Sequence, residues 1–269
     1  MSQTIDQYYV IGNPVKHSLS PKIHQQFAQQ TQQTIQYGAL QINEDTFEES
    51  FKVLQLNPKV KGLSVTVPFK EKAFALADQY DPFAEDAKAV SNIVFTQDRK
   101  AYGINLDGVG LVNDLIHNHN ITLKNKDVLI LGAGGAVRGC LASLIAEYPK
   151  SISIANRTLN KAEILAAHYK NDIQIEALEY THLIKAYDLV INATSASIQQ
   201  QMLPINTQLF KNNGFGYDLM YAPNGTVFTQ WCQTHQINSA DGKGMLLELS
   251  KAIFKIWRGI EPSTKNIQL

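Results

Sequence analysis

Cysteine is nearly missing from this chain: Cys140 and Cys232 are the only two in 269 residues, and no Cys-X-X-Cys pair exists. That sets aside a disulfide framework and a thiolate metal site, and two lone thiols fit a reducing compartment. Charge imbalance is missing too. Lys+Arg and Asp+Glu both number 24, a formal net charge of zero, so no global field draws nucleic acid or an anionic membrane. No apolar run approaches the ~20 residues that span a bilayer. Residues 1–12 (MSQTIDQYYVIG) lack a basic n-region and a long apolar h-region, so they do not read as a signal peptide. Repeats of solenoid period and low-complexity linkers are also missing. The expectation is a cytoplasmic protein, monomer or homodimer, with no nucleic-acid, membrane or metal partner.

What is present supports packed cores: 44% of the residues are hydrophobic and 18% charged. At roughly 100–200 residues per domain, the length suggests two modest domains. Apolar and β-rich stretches alternate with helical patterns. Strands are expected at 8–11, 35–40 and 61–67, and helices after Ser20, at 44–56 and at 68–76. Ser20 is expected as the helix cap, with Pro21 at the first helical position. Residues 92–96 and 100–103 read as a strand pair. Further strands are expected at 128–131, 151–155, 174–177, 188–191 and 215–219. Helices are expected at 136–147, 160–169, 227–236 and 244–257. Such alternation implies an α/β sheet.

The wholly apolar strand at 128–131 opens into Gly132-Ala133-Gly134-Gly135-Ala136 and then a helix. A dinucleotide-binding loop requires that context. The first glycine permits the tight turn and the second lets backbone approach a pyrophosphate. The helix start offers free N–H groups and the positive end of its dipole. Val137 stands where the usual pattern has its third glycine. An NAD site would carry Asp or Glu about 20 residues on, bonded to the ribose 2′-hydroxyl. Here the next strand ends in Asn156-Arg157-Thr158. The Arg157 guanidinium is a planar donor fork suited to a 2′-phosphate, and Lys161 adds a second positive charge. NADP is the expected cofactor.

Three further segments stand out: residues 12–21 (GNPVKHSLSP), 64–72 (SVTVPFKEK) and 103–110 (GINLDGVG). With the glycine loop, Asn156-Arg157-Thr158, Asn192-Ala193-Thr194-Ser195, Tyr217-Asp218 and Asp241-Gly242-Lys243-Gly244-Met245, they resemble the shikimate dehydrogenase family in order and spacing. The resemblance runs from Val10 to about Trp257. It implies an α/β fold of two domains around a cleft. The first is an N-terminal α/β substrate domain, residues 1–106, rejoined by the C-terminal helix, residues 244–269. The second, residues 107–243, is a Rossmann dinucleotide-binding domain. The implied reaction is reversible NADPH-dependent reduction of 3-dehydroshikimate to shikimate.

The resemblance also implies roles. Lys70 matches the catalytic lysine, and Asp107 its partner aspartate. A ketone reduction needs a proton on oxygen as well as a hydride on carbon, and a lysine held in a cleft can exchange that proton. Ser18 and Ser20 match a pair that grips the substrate carboxylate. Thr66, Asn92 and Tyr217 match donors or acceptors for the ring hydroxyls, and Asn105 an asparagine beside the aspartate. Thr194 and Ser195 match residues of the cofactor site, and Gly242 and Met245 residues bordering the nicotinamide. The chain departs from the family pattern at several positions. Ser64 stands for Asn, Leu106 for Thr, Leu249 for a substrate-binding Gln, and Ala89-Val90-Ser91-Asn92-Ile93 for Gly-Ala-Val-Asn-Thr. Two other readings stand beside this one: a family member acting on quinate or another hydroxylated cyclic acid, and a dinucleotide-binding sensor without catalysis. His117 and His119 read as solvated residues at a helix end. His17 and His24 read as hydrogen-bonded structure, Cys140 as buried, and Trp231 and Trp257 as core anchors.

Overall fold

The computed structural model describes residues 5–197 and 199–269, so the first four residues of the N-terminal stretch read above lie outside it. The chain forms two compact units, residues 1–110 with 246–269, and residues 111–245. The sequence placed the boundaries at 106/107 and 243/244. In the structure the first crossing falls inside a helix, so its opening residues Asp107–Gly110 belong with the first unit.

The first unit runs β1 (Asp6–Gly12), α1 (Ser20–Gln30), β2 (Ile35–Gln41), α2 (Phe47–Leu56), β3 (Val60–Val65), α3 (Lys70–Leu76), β4 (Gln79–Tyr80), α4 (Pro82–Ala87), β5 (Asn92–Phe95), β6 (Ala101–Ile104) and the start of α5 (Asp107–Asn113). Its sheet has the order β2-β1-β3-β5-β6-β4. Strands β1, β2 and β3 are mutually parallel, while β5 runs antiparallel to β3 and β6. Ile11, Leu63, Val65 and Ile93 of the sheet pack with Phe47, Phe51 and Phe69.

The second unit runs from the π-helical turn Asp114–Asn118 through β7 (Asp127–Leu131), α6 (Gly135–Ala146), β8 (Ser151–Ala155), α7 (Leu159–His168), β9 (Ile175–Leu178), β10 (Tyr187–Asn192), β11 (Phe210–Asp218), α8 (Val227–Thr234) and β12 (Asn238–Asp241). These six strands are parallel, in the order β12-β11-β10-β7-β8-β9. Successive β7 residues serve opposite faces: Val128 and Ile130 join one core, Leu129 and Leu131 the other. A parallel sheet covered on both faces requires such a run of apolar residues. The strand order reverses between β7 and β10, so their C-terminal ends form a switch point, where open sheets of this kind bind ligands.

The last helix, α9 (Lys243–Arg258), crosses back to the first unit. Phe254 packs with Ile23 and Phe27 of α1, and Ile253 with Ile104 and Leu106. The Trp257 indole donates to the Ile93 carbonyl at 3.1 Å and fills the space that a Cβ on Gly62 would need. Arg258 pairs with Asp6 at 2.6 Å.

Ser20 does not cap α1. Leu19 occupies the cap and Ser20 is the first helical residue. Pro21 has no N–H to be capped, and the Ser18 hydroxyl instead accepts the Ser20 N–H at 3.3 Å. The strand expected to run to residue 67 stops at Val65, because Thr66 and Phe69 close a turn (Phe69 N–H to Thr66 carbonyl, 3.0 Å).

Candidate active site

In the first unit the turn after β3 presents Lys70. Phe69 is fully buried and stacks on Phe47, ring centroids 4.3 Å apart. That anchor fixes the next residue, Lys70, at the start of α3. Its Nζ donates to Asp107 Oδ2 at 2.5 Å, with the Lys70 side chain 24% exposed and Asp107 5%. Asp107 opens α5. Its backbone N–H donates to Asn105 Oδ1 at 3.1 Å, and the Asn105 amide donates to the Ala89 carbonyl at 3.0 Å. Asn105 thus fixes the Asp107 backbone, and the arrangement sets the Lys70 side chain on a buried acceptor.

Asn92 is fully buried. Its amide donates to Ser64 Oγ at 3.1 Å and accepts from Ser91 Oγ at 2.9 Å. Ser64 and Asn92 face each other across the β3–β5 register. The Tyr37 hydroxyl donates to Ser64 at 2.8 Å. Burial pushes its pKa up, while hydrogen bonds to Ser64 and Ser20 pull it down. Asn92, Ser64, Tyr37 and Ser20 therefore form one chain of polar groups. Tyr37 went unread in the sequence, because a tyrosine in a β-rich stretch looks like any strand residue. Ser18 and Thr66 are half-buried. Gly12 leaves the room taken by the Thr66 methyl, which a Cβ would strike. Leu106 and Leu249 share one apolar cluster with Ile104 and Ile253, so two departures from the family pattern are neighbours.

In the second unit the glycine turn leaves the end of β7. Gly132 has φ +112°, and a Cβ there would lie 3.1 Å from the Thr194 methyl and 3.2 Å from the Ala193 carbonyl. Gly134 and Gly135 are exposed and have nothing within 4 Å of where a Cβ would be. Ala133 is buried and Ala136 half-buried at the start of α6. This open backbone, at the N-terminus of a 12-residue helix and at the switch point, fits a pyrophosphate. Gly132 N–H donates to the Ala155 carbonyl at 2.7 Å, which sets the end of β8 beside the turn. Asn156, Arg157 and Thr158 follow, with Arg157, Thr158 and Lys161 exposed. The Asn156 amide folds back on the Thr158 carbonyl at 2.8 Å. Thr194 is half-buried and Ser195 exposed beyond β10. Gly242, buried, abuts the Leu219 carbonyl, and Met245 packs on the sheet.

Tyr217, like Asn92, is fully buried, and its hydroxyl is already committed to a neighbour within the second unit, donating to Asp114 at 2.6 Å. His119, expected to be solvated, faces the same carboxylate with Nε2 3.5 Å from Asp114 Oδ2. The sequence reading missed Asp114, whose position on the polar side of a helix end gave no signal. His24 was expected to be hydrogen-bonded. Instead it is fully buried with neither ring nitrogen partnered among the described residues, and it stacks on Tyr37 at 4.2 Å. Cys140 and Cys232 are buried thiols not joined in a disulfide, and burial pushes the Cys232 thiol up to about 12. Among the described residues no group of three metal-ligating side chains forms, and no helix is long and apolar enough to cross a membrane.

A parallel sheet with a glycine turn at its switch point, joined to an α/β unit bearing a lysine–aspartate pair, defines a dinucleotide-binding oxidoreductase of two units. Comparison with known proteins narrows this. Residues 10–94 match the model of the shikimate dehydrogenase substrate binding domain, and residues 114–205 that of shikimate / quinate 5-dehydrogenase. A shikimate dehydrogenase (NADP(+)) of Aeromonas salmonicida is 44% identical over 264 residues, covering 98% of this chain and 96% of that one. The crystal structure of an Ael1 enzyme from Pseudomonas putida superposes with TM-score 0.91 at 35% identity, covering 98% of both chains. A shikimate 5-dehydrogenase from Thermus thermophilus, solved with NADP(H) and shikimate, gives 0.87 at 26% identity over 98% and 97%. The chain belongs to the shikimate dehydrogenase family.

Proposed function

We propose that the chain is an NADP-dependent shikimate dehydrogenase, an oxidoreductase acting on a CH–OH group. It would interconvert 3-dehydroshikimate, NADPH and a proton with shikimate and NADP. The observation that carries the reading is the Lys70–Asp107 contact at 2.5 Å, with the lysine partly exposed and the aspartate buried. Full-length likeness to proteins named for this activity supports it.

The nicotinamide, when bound, supplies the hydride. Lys70 Nζ donates a hydrogen bond to the substrate's keto oxygen and delivers the proton as the alcohol forms. Asp107 holds the ammonium in place and accepts from a neighbouring substrate hydroxyl. Ser18 and Ser20 hold the carboxylate, and Thr66 and Asn92 the ring hydroxyls. Gly132, Gly134, Gly135 and the start of α6 cradle the pyrophosphate, and Arg157 and Lys161 hold the 2′-phosphate. Two buried cysteines not joined in a disulfide support a reducing, cytoplasmic setting.

The clustering of Leu106 with Leu249 favours a second reading, in which the acid is quinate or another hydroxylated ring. One experiment separates them. Purified protein is given NADP with shikimate or with quinate, and NADPH absorbance is followed. Rapid reduction with shikimate, with kcat falling about 10²–10⁴-fold in Lys70→Ala, supports the assignment. Turnover of quinate alone would move the substrate, and no turnover of either acid would remove the activity.

A further inference from the structure

The fully buried carboxylate of Asp218, at the end of β11, gathers donors from three other segments. Its Oδ2 accepts from Asn192 Nδ2 at 3.2 Å, Ser197 Oγ at 2.5 Å and Thr226 Oγ1 at 2.7 Å. Its Oδ1 accepts the Met220 N–H at 2.9 Å. An ionised carboxylate only accepts, so it dictates which way the Asn192 amide faces. With Nδ2 turned to Asp218, Asn192 Oδ1 faces the other way. There it accepts from both the Thr194 N–H, at 3.1 Å, and the Thr194 hydroxyl, at 2.8 Å. A flipped amide would set oxygen against oxygen at Asp218 and N–H against N–H at Thr194.

The second oxygen reaches another segment. Met220, held by Asp218, accepts the Gly242 N–H on its own carbonyl at 3.0 Å. At Gly242 a Cβ would strike the Leu219 carbonyl, so the two segments meet backbone to backbone. One carboxylate therefore fixes the Thr194–Ser195 loop after β10 and the Gly242 turn after β12. Both lie at C-terminal strand ends, on the edge of the sheet where ligands bind.

We propose that Asp218 is a positioning residue for the nicotinamide half of the bound dinucleotide, acting through Asn192 on Thr194 and through Met220 on Gly242. This rests on the NADP reading above. Asp218 touches neither cofactor nor substrate. In Asp218→Asn an amide replaces one acceptor, so either the Met220 N–H or the three side-chain donors meet another donor. The pyrophosphate turn after β7 keeps its Gly132 N–H bond to the Ala155 carbonyl, which does not pass through Asp218.

The test is calorimetric titration of the full-length protein with NADP and with 2′-phospho-ADP-ribose, which has the same phosphates but no nicotinamide. The expected result for Asp218→Asn is an affinity for NADP weakened about tenfold, with the shorter ligand unaffected. Equal losses on both ligands, or no loss on either, would overturn the proposal while wild-type NADP binding left the cofactor reading standing. Wild-type protein that fails to bind NADP would remove both. If circular dichroism shows Asp218→Asn unfolded, Ser197→Ala takes its place. It removes one donor and leaves the carboxylate. Its loss is expected to be about threefold and confined to NADP, and an unselective effect there overturns the proposal equally.

Discussion

Tyr217 donates its one hydroxyl proton to Asp114, across 2.6 Å in the interior of the second unit. Burial opposes the charge on Asp114, but hydrogen bonds from His119, Tyr217 and Asn118 outweigh it and hold the carboxyl below its usual range. Burial, and then the charge of Asp114, push the tyrosine's pKa up. The proton therefore stays on Tyr217, and toward any other group its oxygen acts as an acceptor. Gly244 is part of the arrangement, because a Cβ there would collide with the Asp114 carboxylate. Tyr217→Phe is expected to cost about 1–3 kcal/mol in urea unfolding, since Asp114 stays buried and loses a donor. A double-mutant cycle with Asp114→Asn should give a coupling energy of about 1 kcal/mol, and additive losses would mean the pair is not coupled.

Where the chain gives a local reason for its structure, the sequence was readable. The glycine turn, the apolar run of β7 and the length of α9 each carry a signal that survives without context. Short elements were not readable. Strand β4 has two residues, and β12, Asn-Ser-Ala-Asp, is polar and, among the described residues, pairs only with β11 at the sheet edge. Helix α4 was missed although Asp81 caps it, accepting the Ala84 N–H at 2.8 Å, with Pro82 behind the cap. Six residues are too few to show a period. At the site, Lys70 and Asp107 are 37 residues apart and came together on motif likeness alone. The roles of Asp114, Asp218 and Tyr37 rest in part on Tyr217, Asn192 and Ser64, partners 103, 26 and 27 residues away that no local pattern displays.

His24 makes the first unit sensitive to acid. Burial lowers its pKa from 6.5 to about 3, and its ring carries no compensating partner among the described residues. The folded-state value is depressed, so the unfolded chain takes up the proton first. Stability is full above pH 6.5 and falls as pH drops from there toward 3, by at most about 1.4 kcal/mol per pH unit. In His24→Phe that component should vanish. Urea midpoints of the variant and the wild type should diverge below pH 6, with the variant falling less steeply. Parallel curves would mean that the wild-type ring finds a partner when charged.

Asp127 adds an acid-labile element to the second unit. It is 3% exposed and lies 2.8 Å from Lys185 Nζ and 2.5 Å from Lys211 Nζ. Burial raises its pKa, but hydrogen bonds from the two lysines and Ser151 outweigh that and hold it well below the usual range. The stability it contributes is present above the unfolded value of 3.8 and is lost as pH falls through the lower folded one. Lys185 and Lys211 are each about two-fifths exposed, so solvent screens the pairing. Asp127→Asn should cost about 1–2 kcal/mol at pH 7. In urea unfolding the difference should shrink as pH approaches 2, and a gap of constant size would mean that packing is responsible.

The 2′-phosphate preference tests whether the end of β8 reads the cofactor. Arg157 follows Ala155 by two residues, and the Ala155 carbonyl accepts the N–H of Gly132 in the pyrophosphate turn. On the proposed NADP reading, the register of β7 and β8 would bring Arg157 toward the ribose that carries the extra phosphate. Arg157→Gln removes the planar fork and leaves Lys161 as a point charge. A charge-assisted hydrogen bond is lost for NADP but not for NAD, whose ribose has no phosphate to meet it. The KM for NADP should rise about 10- to 100-fold with kcat little changed, while the KM for NAD stays the same. Lys161→Gln should produce a smaller shift in the same direction, and added salt should weaken NADP binding in the wild type more than in Arg157→Gln. Equal changes for both cofactors would place Arg157 in the support of the loop, and the phosphate would have to be held elsewhere.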